Sequence, residues 1–220
     1  MALQITFFQK LFSYILPVSI LKTKSEFNSS LEVTVENGKL VLNSANANYS
    51  YGSLFDVFKK AFVEFNVDIK KSNTVLMLGM GAGSVVKFIA EQNPSAKIDA
   101  VEIDESVIAI AEQVFEINKF PNINVIHADA EKFLQQNNAL YDLILIDLFI
   151  DRDVPAFCNE ELFAKQVSDV SSSYTKIIFN LSMTKTVNDK KPLEYFQKYF
   201  ESITLKKIKG NTALYVSQKK

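Results

Sequence analysis

Three glycines and three carboxylates are spaced in this chain so that they could do chemistry together. Gly79, Gly81 and Gly83 follow directly on the apolar run Val75-Leu76-Met77-Leu78. A glycine-rich turn between a buried strand and a helix lets a ligand come against bare backbone, and it aims the amide groups of the helix start at that ligand. Glu102 lies 23 positions after Gly79, at the end of the next apolar run. There a carboxylate can accept hydrogen bonds from both hydroxyls of a ribose. Strand, glycine triplet, helix, strand and acid in one βαβ unit predict a site for a nucleoside-containing ligand. Asp129 ends a third apolar segment, where it could accept from an exocyclic amine while the backbone of Ala130 meets the ring. An ordinary helix N-cap is the other reading of Asp129. Asp147 closes the run YDLILID, facing the space beside such a ligand, where an acceptor amine must be deprotonated or held.

Two loops could complete an acceptor pocket. Tyr49 and Tyr51 sit beside Gly52 in NANYSYGS, and could line a pocket or be half-buried loop aromatics. Arg152, in LFIDRDVP, could hold a carboxylate of the acceptor, whereas Asp151 and Asp153 read as solvated loop acids. His127 at a strand end reads as structural. Nothing around Cys158 suggests a lowered thiol pKa, so a Cys-His hydrolase is disfavoured.

The elements that must position these residues are legible in the hydrophobic pattern. From Thr74 onward strands and helices alternate: Asn122 to Ile126, Tyr141 to Asp147 and Tyr174 to Leu181 as strands, with helices at Glu105 to Asn118, Asp129 to Gln136, Glu160 to Val170 and Pro192 to Phe200. Two final strands, Ile203 to Ile208 and Ala213 to Ser217, meet at Gly210-Asn211, too tightly for a crossover, and so are antiparallel. The pattern predicts an α/β fold with a mostly parallel, doubly wound sheet. Before it, LEVTVENGKLVLNS alternates about Asn37-Gly38 as a hairpin, joined by a short strand from Val18 to Lys22. Ala2 to Leu16 reads as an amphipathic helix ended by Pro17, and Leu54 to Phe65 as a second helix carrying a core stripe of phenylalanines. The division falls near residue 66: residues 1–66 form the N-terminal helix, hairpin appendage and lead-in helix, and residues 67–220 the main α/β domain.

Composition narrows the function. With 24 Lys+Arg against 25 Asp+Glu the net charge is −1, and Arg152 is the only arginine, which disfavours nucleic acid as a partner. One cysteine excludes an internal disulfide and one histidine a His-rich zinc site, so no metal is expected and a cytoplasmic location suits the chain. The N-terminal run lacks a basic leader, and Gln4, Gln9, Lys10 and Ser13 interrupt it, so it is expected to pack on protein rather than on a membrane.

At VLMLGMGAGS, VEIDESVIAIA, HADAEKFL and YDLILIDLF, and in the N-terminal and closing hairpins, the chain resembles the spermidine synthase-like group of the class I S-adenosylmethionine-dependent methyltransferase superfamily. The resemblance implies a Rossmann-like seven-stranded sheet with its last strand antiparallel. It implies S-adenosylmethionine, or its decarboxylated form, as the cofactor: the glycine loop on the methionyl part, Glu102 with Ile103 beside it on the ribose, and Asp129 with Ala130 on the adenine. Asp147 matches the family's catalytic aspartate. The resemblance also implies a homodimer. Aminopropyltransferases of this group follow that aspartate with Ser-Ser-Asp-Pro, whereas Leu148-Phe149-Ile150 stand here. The tyrosine loop keeps Tyr51 without the family's following His-Glu pair. A diamine needs acids at both ends. The expected function is therefore methyl transfer to an unidentified small acceptor, an amine among the candidates. The alternatives are aminopropyl transfer and a non-catalytic nucleoside-binding scaffold.

Overall fold

The apolar runs assemble into two sheets. The computed structural model describes residues 5–44, 48–50, 53–149, 154–182, 190–217 and 219–220. In chain order the elements are α1 (Phe7–Phe12), β1 (Val18–Thr23), β2 (Leu31–Glu36), β3 (Lys39–Ser44), β4 (Asn48–Ser50), α2 (Ser53–Glu64), β5 (Thr74–Leu78), α3 (Ser84–Gln92), β6 (Lys97–Glu102), α4 (Glu105–Gln113), β7 (Ile123–His127), α5 (Ala130–Gln136), β8 (Tyr141–Ile146), α6 (Glu161–Asp169), β9 (Ser171–Ser182), α7 (Lys190–Tyr199), β10 (Ile203–Ile208) and β11 (Asn211–Val216). Strands β1 to β4 form an antiparallel sheet in sequential order. The main sheet runs β10-β11-β9-β8-β5-β6-β7, parallel from β9 to β7, with β11 antiparallel to both of its neighbours. This is the expected seven-stranded, doubly wound sheet with a reversed last strand.

Alternation along the strands divides the core in two. Val75, Met77, Leu143, Leu145, Ile178 and Ala213 face α2 and α3, while Leu76, Leu78, Ile144, Ile146, Ile177 and Phe179 face α5, α6 and α7. A third cluster seats the small sheet on the main body: Leu31, Val33 and Leu42 pack with Ala82 of the glycine turn and with Val107, Ile110 and Val114 of α4 and its end. The phenylalanine stripe of α2 is core, as expected, with Phe58 and Phe62 buried and Phe65 stacked on Tyr215 at 4.5 Å.

Element boundaries depart from expectation where local geometry decides. The first helix is a short one, closed at its start by a capping box between Thr6 and Gln9. Its expected first residues, 2–4, lie outside the described residues. The segment read as a loop contains β4, which adds to β3 at Asn43↔Asn48 and Leu42↔Ser50. Helix α4 stops at Gln113, and Glu116 in the left-handed region (φ 57°) opens a separate turn before β7. The closing hairpin turns at Lys209-Gly210 (φ 53° and 89°), the geometry of a two-residue primed turn, so Asn211 belongs to β11.

Since Phe58 is buried between α2 and the main sheet, Phe58→Ala should cost about 3–5 kcal/mol in a urea unfolding titration. A loss below about 1 kcal/mol would show that α2 is not part of the core.

Candidate active site

In a doubly wound sheet, ligands lie beyond the carboxyl ends of the strands where the order reverses. Here that point is the junction of β5 with β8, since the chain builds β6 and β7 on one side of β5 and then crosses to the other. Gly79, Gly81 and Gly83 all adopt positive φ between β5 and α3. At Gly79 the reason is contact: a Cβ there would stand 2.3 Å from the backbone oxygen of Asp147. The N–H groups of Gly79 and Met80 both donate to Val101 O at 3.0 Å, which ties the turn to β6. Gly83 caps α3 with no side-chain hydrogen bond, and a Cβ on it would meet Ile117 at 2.7 Å.

Glu102 ends β6 almost fully buried. Its carboxylate accepts from Gly81 N at 2.8 Å, Ile103 N at 3.0 Å and Asp104 N at 3.1 Å. Burial pushes its pKa up, against the pull of these backbone donors. The expected donor-site acid thus sits at the floor of the glycine turn, and Ile103 is half-buried beside it.

Asp104 is a residue the sequence reading did not single out. It is 1% exposed and caps α4 through Ser106 N and Val107 N. Its second oxygen accepts from Ser25 Oγ and from Asn28 Nδ2. One carboxylate therefore holds a helix start, the turn after Glu102 and the β1–β2 connection together. His127 reads as structural, and the geometry agrees: its Nε2 lies 3.0 Å from Ile103 O, a contact that makes Nε2 the protonated nitrogen and links the turns after β6 and β7. Asp129 caps α5, accepting from Glu131 N at 2.8 Å, and Ala130 opens that helix buried. Helix capping and ligand contact are compatible in one carboxylate with two oxygens.

Asp147 follows β8, its N–H bonded to Leu78 O at 2.9 Å. Asn180 Nδ2 of β9 donates to its Oδ1 at 2.9 Å. Burial pushes the Asp147 pKa up to about 7, the Asn180 bond opposes the shift, and the charge of Glu102 adds to it. The sequence pattern held a signal for Asn180 that was passed over, a lone amide inside the apolar run IIFNL. Glycine turn, Glu102 and Asp147 thus meet at one edge, with Asp129 at the end of the adjoining strand. Tyr49 lies on β4, while Tyr51 and Arg152 lie outside the described residues. Cys158 is buried, and burial pushes its thiol well above the ordinary range. Among the described residues no group of three or more His, Cys, Asp or Glu could hold a metal ion, and no helix is long and apolar enough to cross a membrane.

Residues 75–162 match a family model described as a methyltransferase domain. The polyamine aminopropyltransferase of Vibrio vulnificus is 30% identical over 128 residues, 57% of this chain and 43% of that protein. The eEF1A lysine and N-terminal methyltransferase of Xenopus laevis is 30% identical over 146 residues, 61% of this chain and 21% of that one. The chain thus spans less than half the length of either relative. Among solved structures, a probable spermidine synthase from Corynebacterium glutamicum superimposes with a TM-score of 0.76 at 16% identity, covering 90% of this chain and 79% of its own. Human methyltransferase-like protein 13 in complex with SAH gives 0.61 at 23% identity, covering 76% and 78%.

The raised Asp147 has a consequence for stability. Between its ordinary value of 3.8 and about 7, the folded protein keeps a proton that the unfolded chain has lost, so stability falls as pH rises through that window. Asp147→Asn removes this contribution. At ~2–4 °C per kcal/mol for a chain of this size, the variant should melt on the order of 10 °C above wild type at pH 8 and converge with it near pH 4. An equal offset at both pH values would show that the carboxyl is not perturbed.

Proposed function

We propose that this chain, which folds like the spermidine synthase and methyltransferase structures it resembles, is an S-adenosylmethionine-dependent transferase acting on a small acceptor, most simply by methyl transfer. The observation that carries this reading is the meeting of the glycine turn, Glu102 and an Asp147 with a pKa near 7 at the strand-order reversal.

The residues present fit the donor. Gly79 to Gly83 offer bare backbone and a helix start capped without a side chain, the place for the methionyl part. Glu102, with Ile103 beside it, is the ribose acceptor, and Asp129 with Ala130 flanks the adenine. When bound, S-adenosylmethionine supplies an alkyl group activated on a sulfonium sulfur. The protein's part is chiefly alignment and exclusion of water. Asp147, with its proton half-dissociated near neutrality, holds an acceptor amine and takes the proton that the amine gives up. Tyr49, Tyr51 and Arg152 are assigned to the acceptor side of the pocket.

Methyl transfer is favoured because Ile150 and Ser53 stand where aminopropyltransferases carry acids for a diamine. Aminopropyl transfer from the decarboxylated donor is the second reading, supported by the similarity to the Vibrio vulnificus aminopropyltransferase and to the Corynebacterium glutamicum structure. The near-neutral charge balance supports neither a nucleic-acid nor a membrane partner, and the single cysteine suits the cytoplasm. Residues 67–220 serve as the transferase unit and residues 1–66 as the self-association unit of a homodimer. Support for the dimer comes from α1, none of whose residues is buried: Phe7, Phe8 and Phe12 are 75%, 69% and 59% exposed, and Tyr14, Ile15 and Leu16 continue the patch. At about 150–250 Å² for each aromatic side chain, the patch supplies a large part of the ~800 Å² per partner of a specific interface.

Calorimetric titration with S-adenosylmethionine, its decarboxylated form and methylthioadenosine separates the readings. Tighter binding of the decarboxylated donor with turnover of putrescine would sink methyl transfer, and no binding of any of the three would leave a scaffold. Glu102→Ala should abolish donor binding. Asp147→Asn should keep donor affinity within about twofold and lose turnover at least about a hundredfold, whereas loss of donor binding would reassign Asp147 to the donor. In sedimentation velocity the wild type is expected as a dimer and Phe8→Glu/Phe12→Glu as a folded monomer; identical sedimentation of the two would remove α1 from the interface.

A further inference from the structure

Two buried amide side chains on one face of the sheet have polar atoms with no partner. Asn180 and Asn211 are both fully buried. Asn180 spends its Nδ2 on Asp147, but its Oδ1 is unpaired, and both Oδ1 and Nδ2 of Asn211 are unpaired. An unmade hydrogen bond on a buried amide is costly, so such groups in native proteins ordinarily meet something.

Register puts the two amides on one side. Ala213 pairs with Asn180, and Asn211 lies two residues further along β11, so the alternation of a strand puts its side chain on the face of Ala213. That is the face that packs on α2, through Ala213, Tyr215 and Ile208. Lys209 reaches Asp56 of the first turn of α2 at 3.7 Å, which places Asn211 beneath the start of that helix. Asp147 shares this face, since Leu143 and Leu145 point the same way along β8. The three side chains therefore run along one face, from the reacting edge toward the start of α2. With strands about 4.8 Å apart and a rise of about 3.4 Å per residue, Asp147 and Asn211 are roughly 12 Å apart at Cα. That separation suits an acceptor of about four carbons hydrogen-bonded at both ends.

We propose that Asn180 and Asn211 form the far end of the acceptor site and recognise a neutral group that both donates and accepts, a carboxamide. This rests on the transferase reading above and names its substrate class. A carboxamide pairs with Asn211 through two parallel hydrogen bonds and can donate a further one to Asn180 Oδ1. An ammonium has no acceptor for Asn211 Nδ2. A carboxylate could not donate to either free Oδ1.

The test uses the full chain saturated with S-adenosylhomocysteine and three probes that differ only at one end: 4-aminobutanamide, putrescine and 4-aminobutanoate, titrated by calorimetry. Wild type should bind 4-aminobutanamide at least about tenfold more tightly than the other two. In Asn211→Leu that preference should vanish while the S-adenosylhomocysteine affinity stays unchanged. Leucine has nearly the same shape and removes an unpaired amide, so this variant should fold, and Asn211→Ser provides a second, smaller replacement with the same expected loss. Equal affinity for the three probes, or a preference that survives both substitutions, overturns the proposal and leaves the donor reading intact. Failure to bind S-adenosylhomocysteine overturns the donor reading and this proposal together.

Discussion

The close approach of two strand ends is the constraint on which the rest of the site depends. β5 and β8 are neighbours, and at their carboxyl ends the backbone of Asp147 comes so near Gly79 that any side chain at position 79 would overlap it. Only glycine, at positive φ, permits this closure. Once it is made, the glycine turn is directed across β6, where Val101 O and the Glu102 carboxylate take its first N–H groups. The Asp147 carboxyl is delivered to the same edge. The glycine turn with Glu102 and the Asp147 carboxyl are therefore positioned by one backbone contact, not by two independent loops.

Electrostatics follow from that closure. Two carboxylates are drawn to one poorly hydrated edge, and each is treated differently. Glu102 has three backbone donors, which oppose the upward push of burial on its pKa. Asp147 has a single amide donor and feels the charge of Glu102, and burial together with that charge pushes its pKa up to about 7.

Much of this was legible from residue order. Buried parallel strands announce themselves as unbroken apolar runs, and the glycine triplet and the acids fall at their ends, so the sheet, the reversed last strand and the positions of Glu102, Asp129 and Asp147 could be read directly. Contacts between residues distant in sequence could not. That Asp104 serves the β1–β2 connection as well as α4 and that Asn211 is fully buried are outcomes of packing, with no local pattern to announce them, and the lone amide in IIFNL marks Asn180 without naming Asp147 as its partner. The helix at Phe7–Phe12 was shorter than its apolar run because a capping box, not hydrophobicity, sets where it begins.

The shared carboxylate of Asp104 also orders events in time. Its bonds to Ser25 and Asn28 join residues 79 and 76 positions apart, whereas the β2–β3 hairpin closes across two residues. Closing so long a loop is entropically expensive until the intervening chain has folded, so the hairpin can form early and its tether only after β6 and α4 are in place. The turn that follows Glu102 thus receives its last hydrogen bonds from the β1–β2 connection. A chain still being synthesised could build each sheet in turn, and the edge at Glu102 would be completed only when the β1–β2 connection docks on a segment made much later.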